Sequence, residues 1–148
     1  MLPFSTTLCI GNEAGQALVV MRLKTPRSLT QPELAVIRAM LERAAKVSLE
    51  PDGLARLEHL QVIGKCECGC DSVDFAEHDP QRPSRPIADG TGRTPAGGDV
   101  GIIIWGTDDA VTGIEVYDLG AGDADIKLPV ESSIRSWGEA DLTDRTDE

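Results

Sequence analysis

The stretch LQVIGKCECGCDSVDF, residues 60–75, sets three of the chain's four cysteines at alternate positions, Cys66, Cys68 and Cys70, between two apolar runs. As one continuous strand it would send those thiols to one face roughly 6.6 Å apart, because a strand rises about 3.3 Å per residue. That spacing cannot close a tetrahedral zinc site, whose sulfurs stand within roughly 4 Å of each other. A hairpin changes the geometry. A three-residue hairpin loop commonly ends in a residue with positive φ, and the loop Glu67, Cys68, Gly69 puts glycine there. Cys66 then faces Cys70, Lys65 faces Asp71 and Ile63 faces Val73, so unlike charges and apolar pairs meet across the strands. Both flanks, LQVIG and SVDF, read as strands, and the hairpin satisfies charge and hydrophobicity together.

In that register opposed β-carbons lie about 4.5–5.5 Å apart, which lets Cys66 and Cys70 meet one metal ion, with Cys68 turned in from the tip. These three are the candidate metal ligands and zinc the candidate ion; Cys9, His78, Asp71 or water would complete the set. Burial as small hydrophobes accounts for the same thiols without any metal, and the paired C-x-x-C spacing of zinc knuckles is missing. Lys65 and the turn amides favour a thiolate while Glu67 and Asp71 oppose one, so a reactive cysteine is a third use of the loop.

Two helices are expected ahead of this segment. In SLTQPELAVIRAMLERAAK, Thr30 and Glu33 have capping-box spacing and Pro32 falls in the first turn, so a helix starts at about Gln31. Leu34, Ile37, Met40, Leu41 and Ala44 recur at helical spacing toward a core, leaving Glu33, Arg38, Glu42 and Arg43 toward water. Pro51 and Asp52 open a second, shorter helix with a stripe of Leu54, Leu57 and Leu60. Two short apolar runs near the N-terminus, TTLCI and QALVVMRL, read as a hairpin around GNEAG.

Beyond the cysteines, residues 79–99 carry four prolines and four glycines and read as a long surface loop with at most a brief edge strand at PIAD. The run DVGIIIWG then suits a central strand covered on both faces, and GIEVYDL alternates Ile114 and Val116 inward with Glu115 and Tyr117 outward. These form a second hairpin over residues 100–119. The last residues, GEADLTDRTDE, have no apolar period and read as an acidic disordered tail.

Composition narrows the partners. Of 148 residues, 25 are acidic and 14 basic, a formal net charge of −11 that repels nucleic-acid backbones and anionic membranes and attracts a basic protein. No apolar run approaches the roughly 18 residues of a membrane span, and the N-terminus lacks a basic stretch followed by an apolar run, so the expected compartment is the cytoplasm. There, closely spaced thiols serve as metal ligands or core residues sooner than as disulfides. His59 reads as a helix-surface residue and His78 as a loop residue; no dinucleotide fingerprint, P-loop, zincin or nucleophile-elbow motif occurs. No catalytic or cofactor-binding residue is assigned.

The helix start from Leu29 to Leu34, the cysteine-glycine stretch running from Cys66 into Ser72, Val73, Asp74 and Phe75, and the closing strand from Ile114 to Asp118 together resemble a family of small uncharacterised bacterial proteins. The cysteine stretch is its most specific element, and Glu67 stands here where that pattern has glycine. The resemblance covers roughly the middle two thirds of the chain, implies the fold and carries no activity. The expected architecture is α+β, with two N-terminal helices packed on one face of an antiparallel sheet built from hairpins. Residues 1–26 form an extension, 27–137 the single domain and 138–148 the tail. Three functions fit: a non-catalytic protein-binding domain of immunity or antitoxin type, a zinc protein using the cysteine hairpin, or a cysteine-based enzyme.

Overall fold

The computed structural model describes residues 8–10, 17–67, 69–76, 79–120 and 126–137. Eight strands among them form one antiparallel sheet: β1 Leu8–Ile10, β2 Ala17–Ser28, β3 Gln61–Cys66, β4 Val73–Asp74, β5 Arg85–Arg93, β6 Asp99–Gly106, β7 Val111–Asp118 and β8 Arg135–Ser136. Their spatial order is β1-β2-β3-β4-β7-β6-β5-β8. One helix of real length, α1 Gln31–Arg43, lies against the sheet. Among the described residues no helix is long and apolar enough to cross a membrane.

The expectation of two helices on a sheet is therefore overturned: the fold is mostly antiparallel sheet. The second helix, α2 Pro51–Ala55, lasts five residues and gives way to a 3-10 turn at Leu57–His59. Glycine in its middle disfavours propagation, and so short a segment cannot repay the entropy of nucleation. That glycine, Gly53, serves contact instead, since a β-carbon there would lie 2.7 Å from the Asp109 carbonyl oxygen. Of the expected stripe only Leu57 is fully buried, while Leu54 is 49% exposed.

Helix α1 begins as its sequence dictates. Thr30 accepts from the Glu33 amide and the Glu33 carboxylate accepts from the Thr30 amide, 3.2 and 2.8 Å. Glu33 does not face water, however. It is buried, and both its oxygens take hydrogen bonds from Arg27 on β2, at 3.0 and 2.9 Å. Burial pushes its carboxyl up, but the Arg27 and Thr30 hydrogen bonds outweigh that and hold it below the usual range. Val36, Ile37 and Met40 then pack on Ile102, Ile104, Ile114 and Val116, an aliphatic core formed by alternate residues of β6 and β7.

The segment read as a long loop contains the nine-residue strand β5, which sits inside the sheet between β6 and β8. Its glycines mark close approach: a β-carbon at Gly90 would meet the Arg135 carbonyl oxygen at 2.4 Å, and one at Gly92 would meet Pro129 at 2.5 Å.

The chain does reverse at the cysteine segment, with Gly69 at φ +91°. The register differs from the expected one by two residues. Lys65 pairs with Val73 and Gly64 with Asp74, and the Cys66 amide donates to the Ser72 carbonyl at 3.3 Å, so the loop spans residues 67–71. Two anchors set this. Ser72 Oγ, fully buried, accepts from the Val116 amide at 2.9 Å and donates to its carbonyl at 3.3 Å, bridging β4 to β7. Asp71, expected opposite Lys65, instead accepts from the Leu128 amide at 2.7 Å and donates its own amide to the Ile126 carbonyl at 3.2 Å. Residues 138–148 lie outside the described residues, and strand β2 runs through position 26 to pair with β3.

Candidate functional site

Cys66 and Cys70 are both buried, 5% exposed, at the two ends of the turn, and Cys66 stands opposite Ser72 rather than Cys70. The Cys70 thiol donates to Ser72 Oγ at 3.4 Å. Cys68 and His78 lie outside the described residues, as does the side chain of Cys9. Among the described residues no three His, Cys, Asp or Glu side chains stand together as a metal-holding group.

The polar chemistry gathers elsewhere, on the sheet face turned away from α1. Strand pairing places it row by row. Asp74 of β4 is opposite Gly113 of β7, which is opposite Trp105 of β6; in the next row Glu115 of β7 is opposite Ile103 of β6, which is opposite Asp89 of β5. One row on, Tyr117 faces Gly101, then Thr91, then Arg135 of β8. Glycine is required at two of these points: Tyr117's ring lies over Gly101, 2.2 Å from where a β-carbon would be, and Asp74 leans across Gly113, its Oδ1 3.0 Å from the corresponding position.

Both tryptophans of the chain serve a carboxylate on this face. Trp105 Nε1 donates to Glu115 Oε1 at 3.0 Å, and Trp137 Nε1 donates to Asp89 Oδ1 at 2.8 Å. Lys46 approaches the other Asp89 oxygen at 3.6 Å. Glu115 is 1% exposed, and its Oε2 is buried without a hydrogen-bond partner among the described residues. Such an oxygen costs about 1–3 kcal/mol of lost hydration unless something neutralises it.

Electrostatics follow from that crowding. Burial, reinforced by the neighbouring Glu115 charge, pushes Asp74 up to about 6. Burial likewise raises Glu115, against the Trp105 hydrogen bond and with the Asp89 charge. No basic side chain among the described residues offsets Asp74 or Glu115.

At the β5–β8 end the same face opens into a cleft of about 560 Å³ lined by Thr91, Arg93, Asp99, Arg135, Ser132 and Trp137, among others.

No family model, curated protein or solved structure matches this chain.

Sequence reasoning missed this face. Alternation rightly sends Glu115 away from the aliphatic core, but away from that core is not toward water: neighbouring Ile103 is only 5% exposed. The available signal was two tryptophans in a chain with 3% aromatic residues, one of them, Trp105, near the end of an apolar strand.

Proposed function

We propose that the chain is a non-catalytic binding domain, working in the cytoplasm, that receives a basic polypeptide on the sheet face carrying Asp74, Asp89, Glu115 and Trp105. A role as inhibitor of a basic protein, in the manner of an immunity protein or antitoxin, agrees with this reading. The observation that carries it is the buried Glu115 Oε2, which has no hydrogen-bond partner among the described residues, one row from Asp74, which no cation among those residues offsets. A guanidinium entering beside the Trp105 ring would pair with that oxygen and stack on the indole, supplying the missing charge at a site already desolvated. The net charge of −11 would steer such a partner toward the molecule at long range.

The test uses a ten-residue peptide alternating arginine and serine, and its citrulline counterpart, in titration calorimetry at low salt. The arginine peptide is expected to bind and the citrulline peptide not. Asp74→Asn combined with Glu115→Gln should weaken binding by about ten-fold or more, the scale of a charge-assisted pair. Neutralising two exposed acids away from this face, Glu42→Gln with Asp52→Asn, should change it by less than about two-fold. Equal losses from both pairs would mean diffuse charge attraction and sink the proposal.

A zinc function for Cys66, Cys68 and Cys70 has one supporting observation, the reversal at Gly69 that keeps Cys66 and Cys70 buried near one turn. Elemental analysis of protein purified without chelators should then find about one zinc per chain, lost in Cys66→Ser. Less than about 0.1 equivalent would end that reading.

A further inference from the structure

The cleft at the β5–β8 end of the sheet is chemically the opposite of the Asp74–Glu115 end. Strand register brings two guanidinium groups together there. Thr91 stands opposite Arg135, and Arg93, two residues along β5, shares the face. Residues in that diagonal relation lie about 7–8 Å apart, within reach of one bound anion for side chains as long as arginine. Asp99 is the one carboxylate of the lining, and its contact with Arg93 Nε is loose, 3.4 Å with both side chains largely exposed. A pair of that kind is weak and easily exchanged for a better one. The lining thus sets two guanidinium groups against one carboxylate on a chain whose sum is −11.

The other wall is flat and apolar. The Trp137 indole is held in place by its hydrogen bond to Asp89 Oδ1, yet 38% of the residue is exposed, as is Leu119. A ring fixed by its own N–H presents its face without further loss of rotamer freedom. The hydroxyl-bearing residues Thr91 and Ser132 also line the cleft. The volume, about 560 Å³, falls within the usual range for small-molecule sites of about 300–1,000 Å³.

We infer that this cleft binds a small planar organic anion, its carboxylate or phosphate held by Arg93 and Arg135 and its ring laid on Trp137. Guanidinium forks match the paired oxygens of either group, and Ser132 and Thr91 supply the remaining donors. The site uses neither Asp74 nor Glu115 and meets the proposed basic-partner face only at Asp89, which orients Trp137, and an anionic ligand would be repelled from the Asp74–Glu115 end.

Matched probes separate the contributions: 2-naphthyl phosphate, 2-naphthoate, neutral 2-naphthol and inorganic phosphate, each measured by equilibrium dialysis. At least one naphthyl anion should bind one to one with a Kd on the order of 0.1 mM, about ten-fold or more tighter than 2-naphthol or phosphate alone. Whichever of the two anions binds tighter identifies the anionic group. Arg93→Gln and Arg135→Gln should each weaken binding about ten-fold. Ser132→Glu, at an exposed position outside the packed core, should abolish it while leaving the melting temperature unchanged. The proposal is overturned if neither naphthyl anion binds below about 10 mM, or if binding survives Ser132→Glu unchanged.

Discussion

Ile104→Ala is expected to destabilise the protein by about 3–4 kcal/mol in urea denaturation, whereas Leu54→Ala should cost less than about 0.5 kcal/mol. Ile104 is fully buried between α1 and the sheet, at the centre of the aliphatic cluster, and truncation removes three carbons from a site whose neighbours on β5 and β7 are held by strand pairing. Rigid surroundings relax little into a cavity, so transfer and cavity costs add. Leu54 belongs to the stripe that periodicity assigned to a second core helix, yet it is half exposed on a five-residue turn of helix. The pair of substitutions thus separates the sheet-centred fold from the two-helix one. Comparable losses at the two positions would contradict the architecture described above.

How much of this was legible follows from which physics is local. The start of α1 was, because a capping box is a contact between residues three apart, and so was the β6–β7 hairpin, whose apolar run and turn lie side by side in sequence. The positive φ at Gly69 was legible for the same reason. Strand β5 was not, since Gly90 and Gly92 look like punctuation in sequence and only the approach of Arg135 and Pro129, some 40 residues away, shows them to be packing residues. The cysteine register failed because Ser72 and Asp71 take their partners from Val116, Leu128 and Ile126, and those long-range hydrogen bonds outweigh the Lys65–Asp71 attraction on which the expected register relied. The carboxylate row was invisible altogether: Asp74, Glu115 and Asp89 lie on three strands and meet only through the order β4-β7-β6-β5. The cysteines, which dominate the sequence, mark the turn that positions Asp74.

That row makes stability depend on pH in an unusual direction. Asp74 has its carboxyl raised from 3.8 to about 6, so between those values the folded chain holds a proton that the unfolded chain has released. Stability from this group is therefore fully present below about 3.8 and is lost as pH rises through about 6. Asp74→Asn cannot ionise and removes the loss. It is expected to stabilise the protein by about 1–3 kcal/mol at pH 7.5, with the advantage shrinking through pH 6 and vanishing near pH 4. The lower part of that range allows for the partial solvent access of Asp74. Denaturation midpoints of both proteins across this interval decide the matter; a difference independent of pH would show that Asp74 is not the titrating group. Because burial is the first cause of the shift and the Glu115 charge the second, Glu115→Gln should narrow the window only in part. The same titration links stability to binding. A cation seated on the row lowers both carboxyl pKa values, so docking of the arginine peptide near pH 6 must release protons, and its affinity must fall from pH 7.5 to pH 5. Calorimetry in two buffers of different ionisation enthalpy counts those protons; a count of zero at pH 6 would place the peptide somewhere other than Asp74 and Glu115.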